Sequence, residues 1–246
     1  MTRNATIKFY IKPVQYNEKF IRSLTENLIK KESKYDAPKN LAGKKGFPAT
    51  LEDQIIEESV KDTGIIDLSY KNIKYYIYMD PDAPFHCKGS KLGIISINAA
   101  RGYFYQLLNT PTTEECEKNA EELIEIAKNI LETLGSKALY GLGDDEDFLP
   151  MYIGDKPSEK DIIEKNLANI LSNVRWLNFY GTEIAEKIGR KRLLSAPAYK
   201  IEELKSGILI VNSPLPWTYS TESQNQLDSL LKVAEHFKKT EGKNEN

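Results

Sequence analysis

The stretch Ile65-Ile66-Asp67-Leu68-Ser69-Tyr70-Lys71-Asn72-Ile73-Lys74-Tyr75-Tyr76-Ile77-Tyr78-Met79 decides the fold class. Its apolar side chains fall at Ile66, Leu68 and Tyr70, then at Ile73, Tyr75, Ile77 and Met79, with the polar pair Lys71-Asn72 between them. Successive side chains of a strand point to opposite faces, so each half reads as a half-buried strand and the whole as a β-hairpin. A second hairpin reads over 199–204 and 208–212, around Lys205-Ser206-Gly207. Hairpins are antiparallel by construction, which argues against a doubly wound parallel sheet.

Working outward, Ile7, Phe9 and Ile11 alternate with polar neighbours and predict a strand over 6–11. Asn17 can cap a helix over 18–31 with Phe20, Leu24 and Leu28 inward. Two Pro and two Gly make 36–48 a loop, and Thr50 with Asp53 resembles a helix start. The segment 80–91 reads as a Pro-containing loop and 92–98 as a central strand. The longest helix spans 114–134, capped by Thr112 or Thr113 and ended by Gly135, with Cys116, Ala120, Leu123, Ala127, Ile130 and Leu134 on one stripe. A short strand over 138–142 and an irregular stretch over 143–157 follow. Ser158 with Asp161 starts a helix reaching about 171, and 174–180 is a strand. Two short helical segments follow, the second over 190–194. Thr221 caps a final helix that buries Leu227, Leu230, Leu231, Ala234 and Phe237. The expected fold is α+β: a mostly antiparallel sheet with helices packed on one face. It forms a single domain over 1–240, with 241–246 a disordered tail. The order of elements permits an internal duplication, although no sequence repeat supports one.

Composition narrows the function. Hydrophobic residues at 40% and charged ones at 28% exclude wholesale disorder. The 34 Lys and Arg against 36 Asp and Glu leave a net charge of −2, too balanced for a surface that coats nucleic acid. Two Cys and two His leave little room for a disulfide framework or a structural zinc site. The segment 1–8 has no apolar core of a leader, and the best apolar run, Ile208-Leu209-Ile210-Val211, is far below the roughly 18 residues that cross a bilayer. These features point to a cytoplasmic protein with Cys87 and Cys116 reduced, no membrane association and no cofactor.

Few groups have spacing that suggests chemistry. Asp144-Asp145-Glu146-Asp147 is a run of carboxylates that water, a hard cation or a basic partner surface must compensate. Asp80, Asp82 and His86 share one loop with Cys87 and are weak metal-ligand candidates, but His86 and Cys87 are neighbours whose side chains diverge in an extended segment. His236 follows the register of an exposed helix position. Gly141-x-Gly143 lacks the rest of a phosphate loop and precedes acids that repel phosphate. The cluster Gly189-Arg190-Lys191-Arg192 reads as a charged turn between helices. Tyr76 and Tyr78 alternate onto the face opposite Tyr75 and Ile77, where amphipathic rings suit protein contact better than base stacking.

The segment from Trp176-Leu177-Asn178-Phe179-Tyr180-Gly181, through Ile188-Gly189 and Leu193-Leu194, to Gly207-Ile208-Leu209-Ile210-Val211 and Pro214 resembles immunity-protein families. These families belong to bacterial polymorphic-toxin and type VI secretion systems. The resemblance covers about residues 174–237. It implies a small cytoplasmic α+β protein that binds a toxin and blocks it without catalysis, and it transfers no contact residue. The expected function is therefore a non-enzymatic protein-binding module whose partner is a toxin, with Asp144, Asp145, Glu146, Asp147, Tyr76 and Tyr78 as contact candidates. A metal-assisted hydrolase is the alternative if the loops at 80–87 and 144–147 converge. A domain that self-associates through its tyrosine strand is the third reading.

Overall fold

Strand β1, Asn4–Ile11, pairs on both edges with strands that come much later in the chain: along its whole length with β5, Gly93–Ala100, and from Ala5 onward with β6, Ala138–Asp145. The computed structural model describes residues 4–12, 18–31, 33–35, 65–80, 92–104, 112–145, 154–216 and 222–241. The other strands among them are β2 (Lys34–Tyr35), β3 (Ile65–Tyr70), β4 (Ile73–Asp80), β7 (Leu177–Gly181), β8 (Lys200–Leu204) and β9 (Gly207–Val211). Together they form one nine-stranded antiparallel sheet, in the order β2-β3-β4-β5-β1-β6-β7-β9-β8. The α+β class and both hairpins are as the sequence predicts. The segments 36–64, 81–91 and 146–153 lie outside the described residues, and with them the expected loop at 36–48 and the helix after Thr50.

Helices cover both faces. On one side α1 (Glu18–Lys30) and α2 (Thr113–Leu134) pack onto the sheet. Leu24, Leu28, Ala120, Leu123, Ala127 and Ile130 meet Ile7, Phe9, Ile77, Ile97, Phe179 and Leu209 there. The Thr112 hydroxyl accepts from the Glu115 N–H, while the Glu115 carboxylate accepts from the Thr112 N–H, so a capping box starts α2. Near its middle, Glu122 is buried and accepts two hydrogen bonds from Asn72, at 3.0 and 3.1 Å. That contact fixes the β3–β4 turn, where Lys71 adopts a φ of 50°.

A second layer packs on the opposite face of β6, β7 and β9. It is built from α3 (Glu159–Glu164), α4 (Leu167–Ser172), α5 (Thr182–Ile188), α6 (Arg190–Leu194) and α7 (Glu222–Glu241). The expectation of helices on one face therefore describes only α1 and α2. The short helices conceal the second layer from a periodicity reading, because five to seven residues span at most two turns. The single helix expected after Ser158 is two, broken where Lys165 turns left-handed. The α7 stripe is also rotated from expectation. Gln226, Leu230, Val233, Ala234 and Phe237 are buried, whereas Leu231 is 42% exposed and Leu227 half-buried. The helix runs on to Glu241, the first residue of the expected tail.

Gly141 and Gly143 have a packing role. Gly141 stands opposite Phe9, and a Cβ there would come within 2.6 Å of the Phe9 ring. At Gly143 it would meet Leu177 Cβ at 2.9 Å. The missing side chains let Phe9 meet Phe179 edge-on at 6.2 Å across β6. Gly141→Ala is expected to overpack this contact and cost about 1–3 kcal/mol in chemical denaturation. Gly102→Ala, where a Cβ meets nothing within 4 Å, should stay within about 0.5 kcal/mol of the parent. Equal effects at the two sites would contradict the packing role.

Candidate functional site

The sheet register decides which candidate residues can act together. On the face turned away from α2, Asp67 pairs with Tyr76, Tyr76 with Asn98, Asn98 with Thr6 and Thr6 with Asp144. The neighbouring row is Ile65, Tyr78, Ser96, Lys8 and Leu142. Tyr76, Tyr78 and Lys8 are half-buried, and Asp67 and Lys74 are exposed at the margin. Thr6 Oγ1 donates to Asn98 Oδ1 at 2.8 Å in the buried centre. Leu142, at the β6 end, lies under the second helical layer, and Thr6, Ser96 and Asn98 are buried, so the more open part of this face is at β3 and β4. Tyr70 stands opposite Ile73 and is buried with Tyr75 under the helices, so it does not join Tyr76 and Tyr78. Tyr75 donates to Ser33 Oγ at 2.9 Å, and burial pushes its phenol well above the usual range.

The acidic run begins inside a strand. β6 extends three residues past its expected end at Leu142, so Asp144 and Asp145 are strand residues opposite Thr6 and Ala5 and not part of an irregular loop. Glu146, Asp147, Asp82, His86 and Cys87 lie outside the described residues. Asp80 ends β4 opposite Ile94, which itself pairs with Tyr10. Asp80 and Asp144 thus sit four residues apart along β1 and three strands apart across the sheet. Those offsets are about 13 Å and about 14 Å. The sheet thus sets the backbones of Asp80 and Asp144 at opposite ends of its strands, and residues 81–87 and 146–147 of the loops that the hydrolase alternative would bring together lie outside the described residues. Among the described residues no three His, Cys, Asp or Glu side chains come together as a ligand set.

The remaining candidates have structural partners. Arg190 pairs with Glu186 at 3.1 Å and with Glu203, and Arg192 donates to the Phe237 carbonyl, so the basic cluster ties α6 to β8 and α7. His236, expected to be exposed, is half-buried with its Nε2 3.0 Å from the Arg192 carbonyl. Cys116 is a buried free thiol, raised further by burial and by Glu115 and Glu117.

The sequence did not reveal the buried polar cluster behind β7. Arg175, Asn173, Asn178, Asn212 and Tyr140 are all buried there. Asn178 accepts from the Arg175 N–H at 2.9 Å and donates to the Asn173 carbonyl at 3.0 Å. Asn212 donates to the Arg175 carbonyl at 2.5 Å, and Tyr140 donates to Asn173 Oδ1 at 3.1 Å. Trp176 Nε1 donates to the Ser213 carbonyl at 2.9 Å. Asn178 and Trp176, which carry the sequence resemblance, therefore have a structural function: they fasten the approach to β7 and the exit from β9. Only their position in an apolar strand could have signalled this.

Every resolved shift among the described residues moves its group away from neutrality. The hydrogen bonds of Lys12 and Lys165, each 2.6 Å long, hold the Glu183 carboxyl at about 2. Ser158 and Asn169 do the same for Asp161.

No protein-family model matches the chain, and no curated protein matches it. A solved structure, the Pseudomonas aeruginosa T6SS protein PA0821, is similar with a TM-score of 0.43 and 12% identity, over 94% of this chain and 73% of that one. At that score and identity it passes no residue role to this chain. No described helix is long and apolar enough to cross a membrane.

Because both carboxyls titrate near 2 in the folded chain and near 4 when unfolded, their stabilisation is complete above about pH 4.5 and is lost as pH falls toward 2. The melting temperature should drop across that window, and less steeply in the Asp161→Asn/Glu183→Gln variant. Identical acid profiles would show that these pairs do not couple to folding.

Proposed function

We propose that the chain is a non-enzymatic protein-binding module, an immunity-type inhibitor that engages a toxin through the β3–β4 end of the sheet face that carries Tyr76 and Tyr78. The observation that carries this reading is the pair Tyr76 and Tyr78, half-buried side by side in register with Asn98 and Ser96. Amphipathic rings over a fixed polar floor offer large contact area at little conformational-entropy cost, the combination enriched in protein interfaces. Asp67 and Lys74, of opposite sign at the margin, suit a polar rim that orients the partner. The acidic run Asp144, Asp145, Glu146 and Asp147 adds candidates for a basic partner, and the backbone of Asp144 is in register with Thr6 and Asn98.

The finer reading, inhibition of a toxin, rests on the resemblance of residues 174–237 to immunity families.

The test is capture from the native cell with the tagged chain, followed by co-expression of the captured protein with and without it. The parent chain should retain one protein whose expression alone arrests growth, and should relieve that arrest. Tyr76→Ser/Tyr78→Ser should keep its melting temperature within a few degrees and weaken the complex by at least about tenfold. Collapse of the fold would place the rings in the core, and retention of full affinity would move the interface elsewhere.

A further inference from the structure

The sheet ends at β8, and there the alternation of backbone bonds can be followed residue by residue. Leu204 and Gly207 flank the two-residue turn Lys205-Ser206 and pair with each other. They exchange both backbone bonds across the hairpin, and alternation gives the same role to Glu202 with Leu209 and to Lys200 with Val211. Ile201 and Glu203 therefore turn their N–H and C=O away from β9. Among the described residues nothing else takes those groups, since β8 pairs with β9 alone and no further bond engages their main chain. Tyr199, immediately before the strand, is 53% exposed.

Short charged edges normally discourage strand pairing. The charges here run differently. On the α2 side they form an alternating chain in which Glu121 meets Lys200 at 3.0 Å, Lys200 meets Glu202 at 3.0 Å, and Glu202 meets Lys128 at 2.7 Å. We infer that β8 is a homodimer edge: a second copy of this chain pairs with it antiparallel, about a two-fold axis through Ile201.

In that register Ile201 faces the partner's Ile201 and exchanges both backbone bonds with it. Tyr199 and the partner's Glu203 form the next bonded pair, and Lys200 stands directly opposite the partner's Glu202. The alternating charges then continue across the axis with no break in sign. Adjacent symmetric registers centre on Lys200 or Glu202 and set like charges against each other, so the sequence Lys200-Ile201-Glu202 selects one register. Five residues of edge bury less than the roughly 1,200–2,000 Å² of stable complexes. The association is accordingly weak, micromolar or above, and matters at high local concentration.

Sedimentation velocity on the full chain, from about 10 µM to about 1 mM, should show a monomer giving way to a dimer. Lys200→Glu and Glu202→Lys each place like charges across the axis and should weaken self-association at least about tenfold. An equimolar mixture of the two should restore it, because each variant then meets the opposite sign. Ile201→Pro removes only an outward N–H and should abolish the dimer while keeping the melting transition. It remains decisive if either charge variant fails to fold. Tyr76→Ser/Tyr78→Ser should leave the dimer intact. A monomer at every concentration, a mixture no stronger than its components, a dimer that survives Ile201→Pro, or one lost with the tyrosines would overturn the assignment.

Discussion

The structure depends on the double pairing of β1. This strand lies early in the chain yet near the middle of the sheet, so neither half is complete until residues 4–11 are inserted between β5 and β6. The contacts it makes are far apart in sequence, and closing such loops costs entropy that local contacts cannot offset. The compensation lies in the side chains. Ala5, Ile7, Phe9 and Ile11 all enter the core beneath α1 and α2, while Tyr10 stacks on Tyr140 at 6.3 Å on the other face. From Tyr140 the aromatic contacts pass to Tyr180 at 5.9 Å and on to Phe237 of α7 at 6.4 Å. One strand thus links the two helical layers, and Gly141 and Gly143 are small because β6 must lie flat against it.

The same pairing sets the alignment of the face proposed for recognition. Once Ile7 and Phe9 turn inward, Thr6 and Lys8 turn outward and align with Asn98 and Ser96, and through them with Tyr76 and Tyr78. A slip of one residue in β1 would exchange the side chains of its two faces, so the apolar core specifies the register of the polar row. Side chains held by strands that are fixed in this way are placed more accurately than side chains on loops. The face and the β8 edge are separate features: one offers side chains, the other main-chain groups, and they lie at different positions along the sheet.

Sequence periodicity revealed those elements whose burial is one-sided. The β3–β4 hairpin alternates because Ile66, Leu68, Ile73 and Ile77 meet helices while the intervening residues do not. The 22-residue α2 is long enough to display its stripe. Legibility failed where burial is two-sided or the element is short. β7 is buried on both faces, so it shows no alternation, and the helices α3 to α6 are too brief for a phase to emerge. The α7 stripe was misread because Gln226 is buried through its bonds to Ser213 and Leu215, a polar residue in an apolar position. Of the candidate site, the outward pair Tyr76 and Tyr78 was readable from alternation alone. The alignment of Thr6, Asn98 and Asp144 beside them was not, because register between strands distant in sequence leaves no local signature.

The most direct measurement is hydrogen–deuterium exchange on the complex retained from the native cell, compared with the isolated chain. Recognition by the sheet face predicts added protection in peptides spanning 6–10, 74–79 and 94–99, with α3 to α7 unchanged. Protection confined to those helices, with the three strands exchanging as in the isolated chain, would contradict it.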